Sequence, residues 1–221
     1  MKATNCALLM GAAMLTACGS KQDANEKNFG AAITQSLARQ GHLCLRLHRW
    51  PVDVTEMDVR MEKFSSVGTS GAMKALASAG LVTGTDTEVE QTSLFGGQPN
   101  GQKYKVKRYV LTPAGKQFYR EEEVSEFGLD GTKKVMQGDI CFGKKSLDKI
   151  VKWEGPMKFG EYQEARVKYL YKIDGLADWA KSSAIQAAFP GVADAVDGAG
   201  KQEEVGAVKL TSQGWEPRRL D

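Results

Sequence analysis

The sequence predicts an α+β fold of two related halves, each pairing antiparallel strands with a packed helix, and three observations lead there. Stretches of period-two alternation mark half-buried strands. Apolar residues three and four apart mark amphipathic helices. The features of the first half then recur, in order, in the second. Leu43-Cys44-Leu45 returns as Ile140-Cys141-Phe142, and Trp50-Pro51 as Trp153-Glu154-Gly155-Pro156. Leu111-Thr112-Pro113-Ala114-Gly115 returns as Leu210-Thr211-Ser212-Gln213-Gly214, with Phe118 and Trp215 after the closing glycines. Strands that follow one another between single helices suit antiparallel pairing better than a doubly wound sheet.

The elements follow in order. Phe29, Ile33 and Leu37, four apart, predict a helix over 29–40. In 41–50, Leu43, Leu45 and Leu47 alternate with His42, Cys44, Arg46 and His48, which predicts a strand, and a further strand is predicted over 54–64. Thr69-Ser70 are placed to cap a helix in which Met73, Leu76 and Ala77 form the inward stripe, with Gly80 stopping it. Strands over 81–92 and 102–112 follow, joined by the turn Gly96-Gly97-Gln98-Pro99-Asn100-Gly101. The second half repeats the plan. It has a strand around Cys141 and another over 164–173, where Val167, Tyr169, Tyr171 and Ile173 share a face. A helix capped by Asp174 follows, with Leu176, Trp179, Ala180 and Ala187 inward and Pro190-Gly191 near its end, then a strand over 203–211.

The first twenty residues address the chain. Met1 and Lys2 precede an apolar run from Ala7 to Leu15, then Leu15-Thr16-Ala17-Cys18-Gly19-Ser20. This resembles the signal peptide and lipobox of a bacterial lipoprotein, in which the cysteine is acylated and becomes the new N-terminus. The run is shorter than the roughly 20 apolar residues of a membrane span. The resemblance implies a signal peptide over 1–17, lipidation at Cys18 and a membrane contact through its acyl chains. Gly19 stands where the family carries Asp for inner-membrane retention, so the implied location is the outer membrane, facing the periplasm, with surface exposure the alternative. Polar residues 18–28 read as a lipidated flexible tether, followed by halves over 29–125 and 135–221.

In such a compartment the cysteines sort themselves. Cys6 leaves with the signal and Cys18 carries lipid, so Cys44 and Cys141 remain. They most simply pair as a disulfide, the other course being two separately buried thiols.

Met73-Lys74-Ala75-Leu76-Ala77-Ser78-Ala79-Gly80-Leu81-Val82, a hairpin, then Tyr109-Val110-Leu111-Thr112-Pro113-Ala114-Gly115 resembles part of a winged-helix domain over residues 65–119. The resemblance implies a two-stranded wing and a further helix over 116–124. It carries shape and no activity. Lys103, Lys105, Lys107 and Arg108 on that wing would suit an anion, and are candidate ligand-binding residues. The 30 Lys and Arg against 27 Asp and Glu leave a net charge of +3, which does not by itself imply nucleic acid. The envelope address argues against DNA as well. An anionic glycan or lipid head group would fit, and so would a plain solvated hairpin.

Other chemistry is sparse. His42, Cys44 and His48 on one strand face would be the place for metal or thiol chemistry, but Arg46 between them repels a cation and a disulfide would quench the thiol. There is no Gly-x-Ser-x-Gly elbow, phosphate loop, His-Glu-x-x-His or Cys-x-x-Cys, and no cofactor or metal is expected. Glu121-Glu122-Glu123, and Lys144, Lys145, Lys149 and Lys152, read as solvated surface. Trp50, Trp153, Trp179 and Trp215 read as core, with a ligand groove at Trp50 or Trp153 the alternative. The expectation is a non-enzymatic binding or interaction module at the cell envelope, with an envelope protein or an anionic envelope component as partner. The alternatives are an envelope-remodelling hydrolase whose carboxylates carry no motif, and a protective factor sequestering a toxic small molecule or toxin.

Overall fold

A computed structural model describes residues 20–47, 49–65, 67–92, 99–128 and 131–218. The predicted signal peptide, Cys18, His48 and the part of the predicted turn up to Gln98 lie outside the described residues. The chain forms helices and antiparallel sheets, an α+β fold. In order come α1 (Glu26–Gln40), β1 (His42–Cys44), β2 (Val52–Thr55), α2 (Glu56–Glu62), α3 (Thr69–Ser78), β3 (Val82–Thr92) and β4 (Pro99–Leu111). Then follow α4 (Pro113–Lys116), β5 (Tyr119–Gly128), β6 (Gly131–Phe159) and β7 (Tyr162–Asp174), and a 3-10 turn (Asp178–Lys181). The chain closes with α5 (Ser183–Ala188), α6 (Pro190–Gly198), β8 (Glu204–Thr211) and β9 (Gly214–Pro217). Strands β2-β4-β3 make a three-stranded sheet, and β1-β6-β7-β8-β9, with β5 also on β6, make a six-stranded one.

The 29-residue β6 is the spine of the molecule. Its first part pairs with β5, its middle with β1 and its remainder with β7. Two cores form along it. In one, Met73 and Leu76 of α3 meet Val54, Val82 and Tyr109 of the smaller sheet, Ile140 and Phe142 of β6, and Ile185 and Val192 of α5 and α6. In the other, Phe29, Ile33 and Leu37 of α1 cover Val167, Tyr169 and Tyr171 of β7, Val208 of β8 and Trp215 of β9. Elements are therefore traded across the predicted halves: α1 and β1 join the second sheet, while α5 and α6 pack with α3.

Several local expectations are corrected. The 54–64 strand is β2 followed by helix α2. Thr55 and Asp58 form a reciprocal capping box, the Asp58 N–H donating to Thr55 Oγ1 at 3.2 Å and the Thr55 N–H to Asp58 Oδ2 at 2.8 Å. A cap of that kind nucleates a helix over a short alternating stretch. The 41–50 strand shrinks to β1, because Arg46 takes a left-handed backbone with φ 63° and turns the chain away. Asp174 begins no helix, since Gly175 turns at φ 61° before the 3-10 turn and α5. α3 starts one residue after Gly68 without a side-chain cap, and Gly80, at φ 73°, ends it as its sequence position predicts.

The winged-helix closing helix over 116–124 is replaced by α4 and then strand β5. Thr112 caps α4 by accepting the Gly115 N–H, and its hydroxyl donates to the Gly80 carbonyl at the end of α3. Strand then wins through a ten-residue antiparallel ladder with β6, in which Glu126 stands opposite Lys133 and Lys134 reaches diagonally to Glu123 at 2.6 Å. The second copy of the Leu-Thr-x-x-Gly motif does something else. Thr211 and Gly214 are paired residues of the β8–β9 hairpin.

The reading of 18–28 as a flexible tether is corrected wherever residues are described. Asn28 donates to the carbonyls of Ser20 and Asp23, both at 2.8 Å, and α1 already begins at Glu26. The Trp215 indole donates to the Gln22 carbonyl at 3.1 Å. The folded body thus reaches back to Ser20.

Candidate functional site

A groove of about 730 Å³ opens between the β2–α2 corner and the extension of the β3–β4 hairpin. Val54, Val59 and Val106 line it, with Glu56, Arg60, Asp86, Glu88, Lys105 and Lys107 around them. Its origin is simple. Val54, Val82 and Tyr109 join the core with α3, and the β3–β4 hairpin runs on beyond the end of β2, where Thr55 pairs with Val106. The α2 corner covers part of that overhang and leaves the rest open.

α2 itself buries no residue. Met57, Met61 and Phe64, spaced four and three apart, are 59%, 57% and 84% exposed, and Val59 and Val67 are also exposed. Exposed apolar side chains on a helix that also lines a groove make this corner a candidate interaction surface. Its geometry is held from both ends. The capping box fixes the start. At the other end Glu62 accepts from Ser70 at 2.7 Å and Lys74 at 2.6 Å, and these bonds, Lys74 first, hold its carboxyl below the usual range.

The candidate basic residues are not a patch. Lys103, Lys105 and Lys107 stand opposite Glu90, Glu88 and Asp86 across the hairpin, so each cation is matched by an acid in register. Arg108 is on the other face of β4, clamped by Asp53 through two bonds of 2.7 Å that depress the Asp53 pKa. Lys105 and Lys107 alone of these four reach the groove. Lys145, from the second basic cluster, pairs with Glu204 and lies 4.2 Å over the Tyr171 ring.

Trp50 packs against the α3 core, whereas Trp153 is an exposed residue beside the α1 core. Trp50 meets Tyr119 edge-on at 6.4 Å, and its indole N–H has no hydrogen-bond partner among the described residues. Trp153, 38% exposed, meets Phe29 at 5.4 Å on the α1 side. They do not line one pocket.

Cys44 and Cys141 are register partners of β1 and β6 and form a disulfide, with sulfurs 2.01 Å apart. The bridge floors a smaller polar cleft that includes Arg39, His42, Arg46, Arg120 and Asp139. Thiol chemistry at Cys44 is thereby closed, and His48 lies outside the described residues. Among the described residues, no three His, Cys, Asp or Glu side chains group to hold a metal ion, and no helix is long and apolar enough to cross a membrane.

Reading the sequence by alternation missed the α2 stripe. The available signal was Thr55-x-x-Asp58, a four-residue capping box, with Met57, Met61 and Phe64 at helical spacing. Comparison with protein-family models, curated proteins and solved structures finds no match to this chain.

Proposed function

We propose that this chain is an acylated lipoprotein of the bacterial outer membrane, facing the periplasm, whose folded body is a binding module for an envelope protein. One observation carries the binding reading: the open groove lined by Glu56, Val59 and Arg60 of α2, the helix that also exposes Met57 and Met61. Its rim bears both signs of charge, Arg60, Lys105 and Lys107 with Glu56, Asp86 and Glu88. A surface so balanced offers little net attraction to a polyanion, and suits a protein segment that brings apolar side chains and mixed charge. This favours a protein partner over the anionic glycan or head group. The lipobox sequence and the Cys44–Cys141 bridge support the address, since a structural disulfide suits an oxidising compartment.

The test uses the full acylated protein in its own envelope, with a photo-crosslinking residue at Met61. The expected result is one discrete protein adduct that disappears when Val59→Asp places a charge in the groove and persists when exposed Lys201 is changed. A lipid-only adduct, or an adduct indifferent to Val59→Asp, would sink the reading. High salt should weaken the adduct by no more than a few-fold, because little of the surface is singly charged.

A further inference from the structure

We infer that the end of the large sheet carrying the β6–β7 turn lies against the bilayer and inserts Phe159 into its surface. The inference rests on the lipoprotein reading above and adds an orientation to it.

The register places three strand pairs near one level. Phe159 pairs with Tyr162 at the tip of β6–β7, Glu164 of β7 pairs with Lys209 of β8, and Thr211 of β8 pairs with Gly214 of β9. Followed across the strands, the β6–β7 and β8–β9 turns therefore close the same end of the sheet. The N-terminal segment leaves there too. A Cβ built on Gly214 would stand 2.9 Å from the Lys21 carbonyl oxygen, and the neighbouring Trp215 holds Gln22.

Chain length does the rest. Cys18 is two residues before Ser20, and two extended residues reach about 7 Å at most. Ser20 is itself tied to Asn28. An acylated Cys18 is thus tethered within about 7 Å of Ser20, not swung on a long leash. From β9 to β6 is three strand spacings, about 14 Å, so the hairpin tip sits beside the anchor on the scale of a few lipid head groups.

The tip has the composition for that position. Phe159 is 68% exposed, Met157 46% and Tyr162 39%. A phenylalanine at a turn, with a tyrosine opposite and Lys158 beside it, matches the amphipathic side chains that settle at a membrane–water interface. Most of the Phe159 side chain is left uncovered by the fold. The lipid surface is the occupant that the anchor brings there. The α2 groove belongs to the core at the other end of β6, which leaves it turned toward the periplasm.

The test is depth-sensitive fluorescence on the acylated, oxidised protein in vesicles of phosphatidylethanolamine and phosphatidylglycerol containing spin-labelled lipid. With the native bridge closed and Cys18 acylated, Phe159→Cys and Phe64→Cys each offer one thiol for an environment-sensitive dye. The expected result is at least twofold stronger quenching, with a blue-shifted emission, at position 159 than at 64. Equal quenching at both positions, or none at 159, in protein whose mass shows acyl chains on Cys18, overturns the orientation and leaves the lipoprotein reading standing. Mass spectra showing unacylated Cys18 overturn both.

Discussion

The bridge between Cys44 and Cys141 closes a loop of 97 residues that contains the whole small sheet, α2, α3 and β5. Removing it frees the unfolded chain more than it changes the folded one. The chain-entropy relation for a loop of that length gives about 16 cal/mol/K, or about 4.7 kcal/mol at 25 °C. For a chain of this size, each kilocalorie corresponds to about 2–4 °C of melting temperature, so the double variant Cys44→Ala/Cys141→Ala should melt about 9–19 °C lower. Its unfolded state is also less compact and exposes more surface, so the urea m-value should rise. The assay is urea and thermal unfolding of the oxidised protein and the double variant, followed by circular dichroism. The two readouts separate causes. A large loss of stability with an unchanged m-value would place the effect in the folded state, in the attachment of the three-residue β1 to β6. A loss below about 1 kcal/mol would refute the loop argument altogether.

Other outcomes follow from single contacts. Thr55→Ala removes the acceptor for the Asp58 N–H, at a cost of about 1 kcal/mol. Because α2 buries nothing, the loss should be read as faster amide exchange confined to α2 and weaker crosslinking at Met61, with little change in global melting. Gly115→Ala should cost about 1–3 kcal/mol in chemical denaturation, since the added Cβ would stand 2.0 Å from the Leu81 carbonyl oxygen, a backbone atom with little room to yield. The Tyr162 hydroxyl, and after it the Arg218 guanidinium at 2.8 Å, hold the Glu164 carboxyl below the usual carboxylate range. Its stabilisation is complete above the unfolded value of about 4.3 and is lost as pH falls through the lower folded value. Melting curves from pH 7 to 3 should therefore show Glu164→Gln less stable near neutrality, with a shallower decline in acid; parallel curves would contradict this.

Much of the secondary structure was legible because it is local. Phe29, Ile33 and Leu37 at helical spacing form α1, Met73 and Leu76 form the inward stripe of α3, and Val167, Tyr169 and Tyr171 line one face of β7 as alternation predicts. The cysteine count pointed to the bridge that the structure contains. Where two periods overlapped, as in Met57, Val59, Met61 and Phe64, alternation was the wrong guide and a capping box decided for helix. The same was true after Lys116, where helix propensity in the acidic run lost to the antiparallel ladder of β5 on β6.

By itself, then, the order of residues determined the α+β class, most element positions, the pairing of the remaining thiols and the resemblance that suggests an envelope address. Those are properties of neighbours along the chain or of composition. Tertiary structure alone decided that α1 crosses to the second sheet, that Lys103, Lys105 and Lys107 face acids across a hairpin, and that α2 keeps its apolar stripe in water beside a groove. It also decided that residues as early as Ser20 are tied down. Each of these depends on which distant segment occupies the other side of a contact. No period or spacing within one segment carries that information, because the energy of burial belongs to pairs of surfaces.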